Sequence, residues 1–306
     1  MFDSFPSRGA RALPLQQHPN FVAALRACGQ DPLQLHRPVP AVILRQRLGG
    51  RVPVAMLARA EPSLMCADCD DWLHSNGLAR TPLILSPDSP CATRLAARGA
   101  VPLMTPNWVA EIDLTATSDE RRARLHPKWR NRLVRAESNK HLRISISTRA
   151  LTPDHWLFTA DLALQRQRGF RNWPTALTLA YARKNPDQAV LITARDGRKD
   201  VAAMLFLRHG RAATYHIGHS TPAGRALSAH TLILWRAACW LAEHGVARLD
   251  LGQIDTRNAA GLARFKLGSG AVARPLGGTW LWWPPLGRSA RWFATLDRHR
   301  MQAGSP

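Results

Sequence analysis

Acidic residues are scarce: Asp and Glu total 21 against 42 Lys and Arg, a formal charge of +21 over 306 residues. That balance argues against cationic partners and raises the local concentration of anions, whether nucleic acid, anionic lipid, nucleotide cofactor or acidic substrate. Arginines on solvated faces would give the same arithmetic, so charge alone assigns no partner. No run of about 18 apolar residues occurs, which excludes a membrane-spanning helix. The opening Met1-Phe-Asp-Ser-Phe-Pro6 lacks a basic segment followed by an apolar one, so a cytoplasmic location is expected. Cysteine is sparse and odd in number: Cys28, Cys66, Cys69, Cys91 and Cys239. Such a set fits a reducing compartment and not a disulfide framework.

The cysteines make one further pattern. Cys66-Ala-Asp-Cys69 precedes His74, and Cys91 could complete a tetrahedral zinc set, but it follows too far behind. Asp68, Asp70 and Asp71 suit a solvated turn instead, and no metal is expected. His216 and His219 fall three apart on an expected strand, which should send them to opposite faces.

What is present is enough for a core: 45% of residues are hydrophobic, and the length suggests two domains. In the first third, Asn20 can cap a helix over Phe21–Cys28. Ala41–Gln46 and Val52–Ala58 flank a Leu-Gly-Gly turn as a hairpin. Strands are expected over Thr81–Leu85 and Trp108–Leu114, with a short helix over Ala92–Arg98. No catalytic constellation occurs there.

The pattern changes at Thr117-Ser-Asp-Glu, where Ser118 can cap a basic helix that Pro127 should interrupt near His126. A domain boundary is therefore expected at 117/118. Beyond it come a strand over Leu142–Thr148 and a helix from Asp154 to about Gln167. Three strands follow, Ala189–Ala194, Val201–Leu207 and Ala212–Ile217, separated by tight turns at Asp196-Gly197 and His209-Gly210. A loop, Thr221-Pro-Ala-Gly-Arg-Ala226, leads to a long helix over Ser228–His244, and Val246–Leu251 can then lie parallel to the last meander strand. The expected class is α/β (α+β), a mixed sheet with flanking helices.

Two places could carry chemistry. A loop of small residues before a helix can offer free N–H groups to phosphate, with Gly224 allowing close approach and Arg225 adding charge; a plain connecting loop would read the same way. Asp250, Gln253, Asp255 and Lys266 follow the carboxyl end of the parallel strand, where ligands of α/β sheets usually sit, although a polar surface loop would also contain them.

These residues carry a resemblance. Lys128-Trp-Arg-Asn131-Arg-Leu-Val-Arg-Ala136 is similar to the K-x-R-N-x-I-x-K-A opening of the second domain in Fem-type enzymes of the GNAT superfamily. Asp250-Leu-Gly-Gln-Ile254 with Phe265-Lys266 resembles their D-F-G-G-I…F-K pair. The likeness spans about 110–285. Those enzymes are tandem GNAT proteins that move an amino acid from aminoacyl-tRNA onto peptidoglycan precursors. The resemblance implies a GNAT fold, a degenerate GNAT-like first domain (1–117) and a complete second one (118–306). It also implies an acyltransferase acting on an amine. The donor expected first is acyl-CoA as cosubstrate, with no tightly bound cofactor. Gly224, Arg225, Ala226, Leu227 and Ser228 would hold it, although Thr221 stands where GNAT enzymes have Gln or Arg. The second donor is aminoacyl-tRNA, contacted by the basic run 121–143. Lys266 would steady the oxyanion, an effect of roughly 3–4 kcal/mol, or else pair with Asp250 or Asp255. Asp250 would orient or deprotonate the amine, and Gln253, Asp255, Arg130 and Asn131 would bind substrate. From another class, the tryptophans at 280, 282, 283 and 292 with Arg288 and Arg291 could sit at an anionic membrane surface, or pack as a final strand.

Overall fold

The computed structural model describes residues 12–36, 40–65 and 73–286. Strand β1 (Leu33–Leu35), β2 (Ala41–Leu48), β3 (Val52–Ala60), β4 (Leu83–Pro87), β5 (Val101–Met104) and β13 (Thr279–Trp282) form one sheet in the order β1-β2-β3-β4-β13-β5. The second sheet runs β12-β6-β11-β10-β9-β8-β7. Its members are β6 (Trp108–Asp113), β7 (Leu142–Ser147), β8 (Ala189–Asp196), β9 (Lys199–His209), β10 (Ala212–Ser220), β11 (Arg248–Ile254) and β12 (Val272–Pro275).

The expected break at 117/118 falls between strands, and the two sheets exchange one strand across it. β6 lies before the break yet pairs with β11 and β12 of the second sheet. β13 lies far beyond it yet fills the gap between β4 and β5 of the first. Trp280 and Trp282 are 0% and 5% exposed there, so they serve as core for the first sheet rather than as a membrane surface; Trp283 is 40% exposed. Arg288, Arg291 and Trp292, like Cys66 and Cys69, lie outside the described residues. No helix among the described residues is long and apolar enough to cross a membrane, and no group of His, Cys, Asp and Glu there could hold a metal.

Helices cover both faces of the second sheet. On one face lie α4 (Pro127–Glu137) and α8 (Ala229–Glu243), with Trp129, Leu133, Leu234 and Leu241 in a core shared with Ile192, Met204 and Phe206. On the other lie α1 (Pro19–Ala27), α5 (Trp156–Arg168) and α6 (Thr175–Lys184), through Phe21, Leu157 and Tyr181. The chain's first described helix thus packs on the second sheet, which sequence periodicity could not reveal. The short α2 (Ala92–Ala97) packs on the first sheet.

Caps fall within a residue or two of the expected positions. Thr117, not Ser118, caps α3 (Ser118–Ala123) in a capping box with Glu120. Pro127 opens α4 at its first turn behind a His126 cap, so the basic stretch is two helices. His18 and His155 cap α1 and α5 in place of Asn20 and Asp154.

β10 and β11 are parallel for three pairs only, Ala212 with Arg248, Ala213 with Leu249 and Thr214 with Asp250. Beyond these, β10 bulges between Tyr215 and Ile217 and stays with β9, while β11 shifts register between Asp250 and Gln253 and stays with β6. The two strands therefore part at Thr214 and Asp250. The same bulge lets His216 meet Trp173 and Thr178, and His219 meet Trp156, all from the α5–α6 segment. The expectation that these histidines face opposite sides fails, because an extra residue breaks the alternation.

Candidate active site

Where the strands part, a cavity of ≈ 210 Å³ opens between Gln16, Arg59, Asn107, Val109, Thr214, Asp250, Gly252, Gln253 and Leu276. Both sheets and the amino-terminal segment contribute to it. Behind its Gly252–Gln253 wall stands α9 (Ala260–Gly268), which carries Lys266. Trp129 of α4 packs against this helix: its ring lies 6.2 Å from that of Phe265, and a Cβ on Gly268 would come within 3.0 Å of it. The Lys-Trp-Arg-Asn segment thus supports the lysine helix from behind.

Lys266 is 6% exposed, and its Nζ donates to the Gln253 carbonyl at 2.8 Å. Burial pulls its pKa down to about 8, with Asp250 acting in the opposite direction. Lys266 makes no ion pair among the described residues, so the structural alternative of a salt bridge to Asp250 or Asp255 is not what holds it. A buried cation satisfied by one carbonyl is costly, and such groups cluster at functional sites.

Asp250 is also buried, but its oxygens are committed. Oδ2 accepts from Arg59 Nη2 at 3.0 Å and Oδ1 from the Gly252 N–H at 2.7 Å. With both oxygens bonded in this way, Asp250 ties β11 to Arg59 at the point where the strands part. Among the described residues the pair belongs to a network that includes three arginines and three acids. Arg274 reaches Asp88 at 3.3 Å and Glu111 at 2.8 Å, Arg248 reaches Glu111 at 3.0 Å, and Arg59 faces Asp88 as well. This network joins the two sheets. Sequence reasoning missed Arg59 and Arg274, since nothing in the local pattern marks two arginines so far apart as partners of one acid.

The remaining expected site residues disperse. Asp255 caps its own turn, accepting from the N–H groups of Asn258 at 2.8 Å and Arg257 at 2.9 Å, bonds that hold its pKa below the usual range. Gln253 lines the cavity. Arg130 donates to the carbonyls of Ala123 and Leu125 at 3.1 and 3.2 Å and so caps α3, while Asn131 is exposed on α4.

The loop expected to cradle phosphate is a one-turn helix, α7 (Pro222–Ala226). Its N–H groups have partners within the turn: Gly224 to Thr221 Oγ1, Arg225 to Thr221 O, Leu227 to Ala223 O and Ser228 to Arg225 O. Arg225 folds back to Ser220 O at 2.6 Å, and Ala226 is exposed at the end of the turn. A Cβ on Gly224 would meet the Val201 carbonyl at 2.2 Å. Gly224 is therefore required by packing against β9, and its own N–H is bonded to Thr221 Oγ1 rather than open to a phosphate. His230, at the start of α8, was also missed; its Nε2 is buried without a partner and its ring lies 6.2 Å from Phe265.

Residues 121–267 match the family described as acetyltransferase (GNAT) domain. No curated protein matches the chain. In fold the chain is similar to FemX, with a TM-score of 0.71 and 12% identity over 89% of this chain and 92% of that one. It is similar also to the C-terminal domain of a proposed lysylphosphatidylglycerol synthetase from Agrobacterium fabrum, at 0.54 and 14% over 92% and 93%. L-PGS from Bacillus licheniformis gives 0.53 and 13% over 94% and 98%. At these identities the likeness is one of fold. The fold is a GNAT fold, and the stretch 121–267 is similar to the acetyltransferase (GNAT) domain family.

Proposed function

We propose that the protein transfers an aminoacyl group from the ester of an aminoacyl-tRNA to an amine. One observation supports this reading above the others: a buried, unpaired Lys266 ammonium stands where the parallel strands of a GNAT domain part. The amine nitrogen attacks the ester carbonyl carbon, and the carbonyl π electrons move to oxygen. Lys266, behind the Gly252–Gln253 wall, meets the charge that appears there. Collapse breaks the ester C–O bond; the departing hydroxyl of the carrier takes up the proton the amine loses.

The choice of carrier rests on two features. In the loop that would hold a CoA pyrophosphate, the amides of Gly224, Arg225, Leu227 and Ser228 are bonded within its own turn. By contrast, Lys128, Arg132 and Arg135 on α4, with Lys140 and Arg143 beyond it, are exposed and have no acid partner among the described residues. Arg122 is different, since it is bonded to Glu137. A phosphodiester backbone neutralises such a face with release of counterions. The Lys128–Ala136 and Asp250…Lys266 motifs, which resemble those of the Fem-type enzymes that use aminoacyl-tRNA, point to the same donor class.

The test offers the purified protein tRNA charged with labelled amino acids, and separately labelled acetyl-CoA, each with a mixture of amine acceptors. Label passing from tRNA into an alkali-stable amide is expected. Label passing only from acetyl-CoA would overturn the choice of donor, and no transfer from either would overturn the reading.

A further inference from the structure

The first sheet sends the side chain of Arg59 to Asp250 of the second, the acid that acts on Lys266. Arg59 lies near the end of β3, where pairing with β4 shifts register between Ala58 and Ala60. Its φ of 57° is left-handed, an uncommon state for an arginine, and strain of this kind persists only where surrounding contacts over-determine it. Here they do: Nε faces Asp88 and Nη2 donates to Asp250 at 3.0 Å. Burial works against the guanidinium charge, but Asp250 and Asp88 outweigh it and hold its pKa above the ordinary value.

Arg59 is linked to Lys266 by hydrogen bonds at each end of a short stretch of β11 backbone. Asp250 accepts from Arg59 through one oxygen and from the Gly252 N–H, at 2.7 Å, through the other. That second bond fixes the irregular stretch of β11, where Gly252 has φ +76°. The carbonyl of the following residue, Gln253, receives Nζ of Lys266 at 2.8 Å. We propose that Arg59 is a positioning residue for Lys266, neutralising Asp250 so that the ammonium stays unpaired and aimed by the Gly252–Gln253 turn.

The charges around the line make this specific to Arg59. Arg248 pairs with Glu111, and Arg274 divides itself between Glu111 and Asp88; neither is bonded to Asp250. Asp250 on β11 is the charge that acts on Lys266, and α4 presents the uncharged Trp129 to its helix. Without Arg59 the buried Asp250 lacks a counter-ion, and Lys266 is the cation it can recruit. Pairing would restore local neutrality and draw the ammonium off its carbonyl. The consequence for turnover rests on the role proposed above for Lys266, whereas the coupling itself does not.

The experiment separates the two. The chain has five lysines, so lysine labelled with 13C at Cε gives a spectrum in which Lys266→Met identifies the Lys266 signal. Its titration is followed in the wild type, in Arg59→Met, in Arg59→Lys and in the double variant Arg59→Met/Asp250→Asn. In Arg59→Met the Lys266 midpoint should rise by about one pH unit or more, the size of shift a nearby opposite charge produces. The double variant should return it to within a few tenths of the wild-type value. Arg59→Lys keeps a charge but loses the fork, and should shift the midpoint less and in the same direction. It decides the matter where Arg59→Met does not fold. A midpoint unmoved in the folded variants would overturn the proposal, leaving Arg59 a structural tie. In the transfer assay, Arg59→Met should lower kcat about tenfold with KM little changed and Arg59→Lys should recover part of it. Titrations that couple in a protein showing no transfer would sink the function and keep the coupling.

Discussion

The side chain of Lys266 points back from α9 to the carbonyl oxygen of Gln253, 2.8 Å away, at a place where β11 has lost its parallel partner. Parting of the strands removes the ladder pairing that would otherwise occupy this backbone, and the lysine takes it up. The group is thereby buried with its charge unpaired, which costs stability and leaves an ammonium free to meet new negative charge.

That cost has a pH signature. With its folded pKa pulled to about 8, below the unfolded 10.5, Lys266 binds fewer protons folded than unfolded across that window. Stability from this group therefore rises as pH climbs from about 8 to 10.5, and below pH 8 its burial costs roughly 3 kcal/mol at most. Lys266→Met, which keeps the stem and deletes the charge, should melt at least as high as the wild type at pH 7. The difference should shrink toward pH 10. Melting curves across that range check it; a lower Tm for the variant at pH 7 would show the lysine to be a stabilising tie.

The same variant should lose about 100-fold or more in kcat with donor KM little changed, the magnitude seen when an oxyanion donor is deleted. Single-turnover and steady-state transfer assays on the preparation used for melting separate the two roles. A folded Lys266→Met with near-normal turnover rules the catalytic role out.

Much of the second sheet and its helices was legible because their order is written in local signals: tight turns between the meander strands, Gly245 after the long helix, and Pro127 between two basic helices. Asp250 and Lys266 were also legible as neighbours, since one lies near the end of the last parallel strand and the other on the helix after it. The functional value of the 221–228 loop was not. Whether a loop amide is free or spent depends on one side chain, Thr221, bonding Gly224, and composition does not record that. Arg59 was hidden for a different reason: its partner lies 191 residues on, in a pairing that exists only once the two sheets are assembled. The strand exchange was hidden likewise, as β6 and β13 look the same in sequence whichever sheet receives them.

Gly224 gives a test of packing against phosphate binding. Gly224→Ala places a Cβ within 2.2 Å of the Val201 carbonyl and 2.7 Å of Ser220 Oγ, where backbone cannot yield cheaply. It should lower stability by about 1–3 kcal/mol or more, the range for overpacking, whatever the donor. Chemical denaturation measures this directly. An unchanged midpoint, with donor affinity lost, would restore the loop as a phosphate cradle.

The exposed face of α4 predicts a salt-dependent partner. Arg132→Glu and Arg135→Glu together should leave Tm unchanged, as both residues are solvent-exposed. They should weaken tRNA binding and reduce the slope of log K against log salt by about one for each phosphate that is no longer neutralised. Filter binding between 50 and 200 mM salt reads this. A slope identical to that of the wild type would mean that RNA does not touch this helix.

His209 predicts acid sensitivity at the junction. It is 1% exposed, with Nδ1 3.1 Å from the Leu13 carbonyl and Nε2 2.9 Å from Thr214 Oγ1. As a neutral ring it can donate to the first and accept from the second; protonation destroys the acceptor. Burial, helped by the positive charges of His18 and Arg248, lowers its pKa to about 3. Between pH 6.5 and 3 the unfolded chain binds this proton and the folded chain does not, so stability is lost as pH falls through that window. At pH 5 the loss is about 2 kcal/mol from this residue. Thr214 lines the cavity, so the same protonation loosens the wall beside Asp250. His209→Gln retains an amide donor and acceptor without titrating, and it should flatten the fall in Tm between pH 6.5 and 4.5. A pH dependence identical to that of the wild type would assign the acid sensitivity to carboxylates alone.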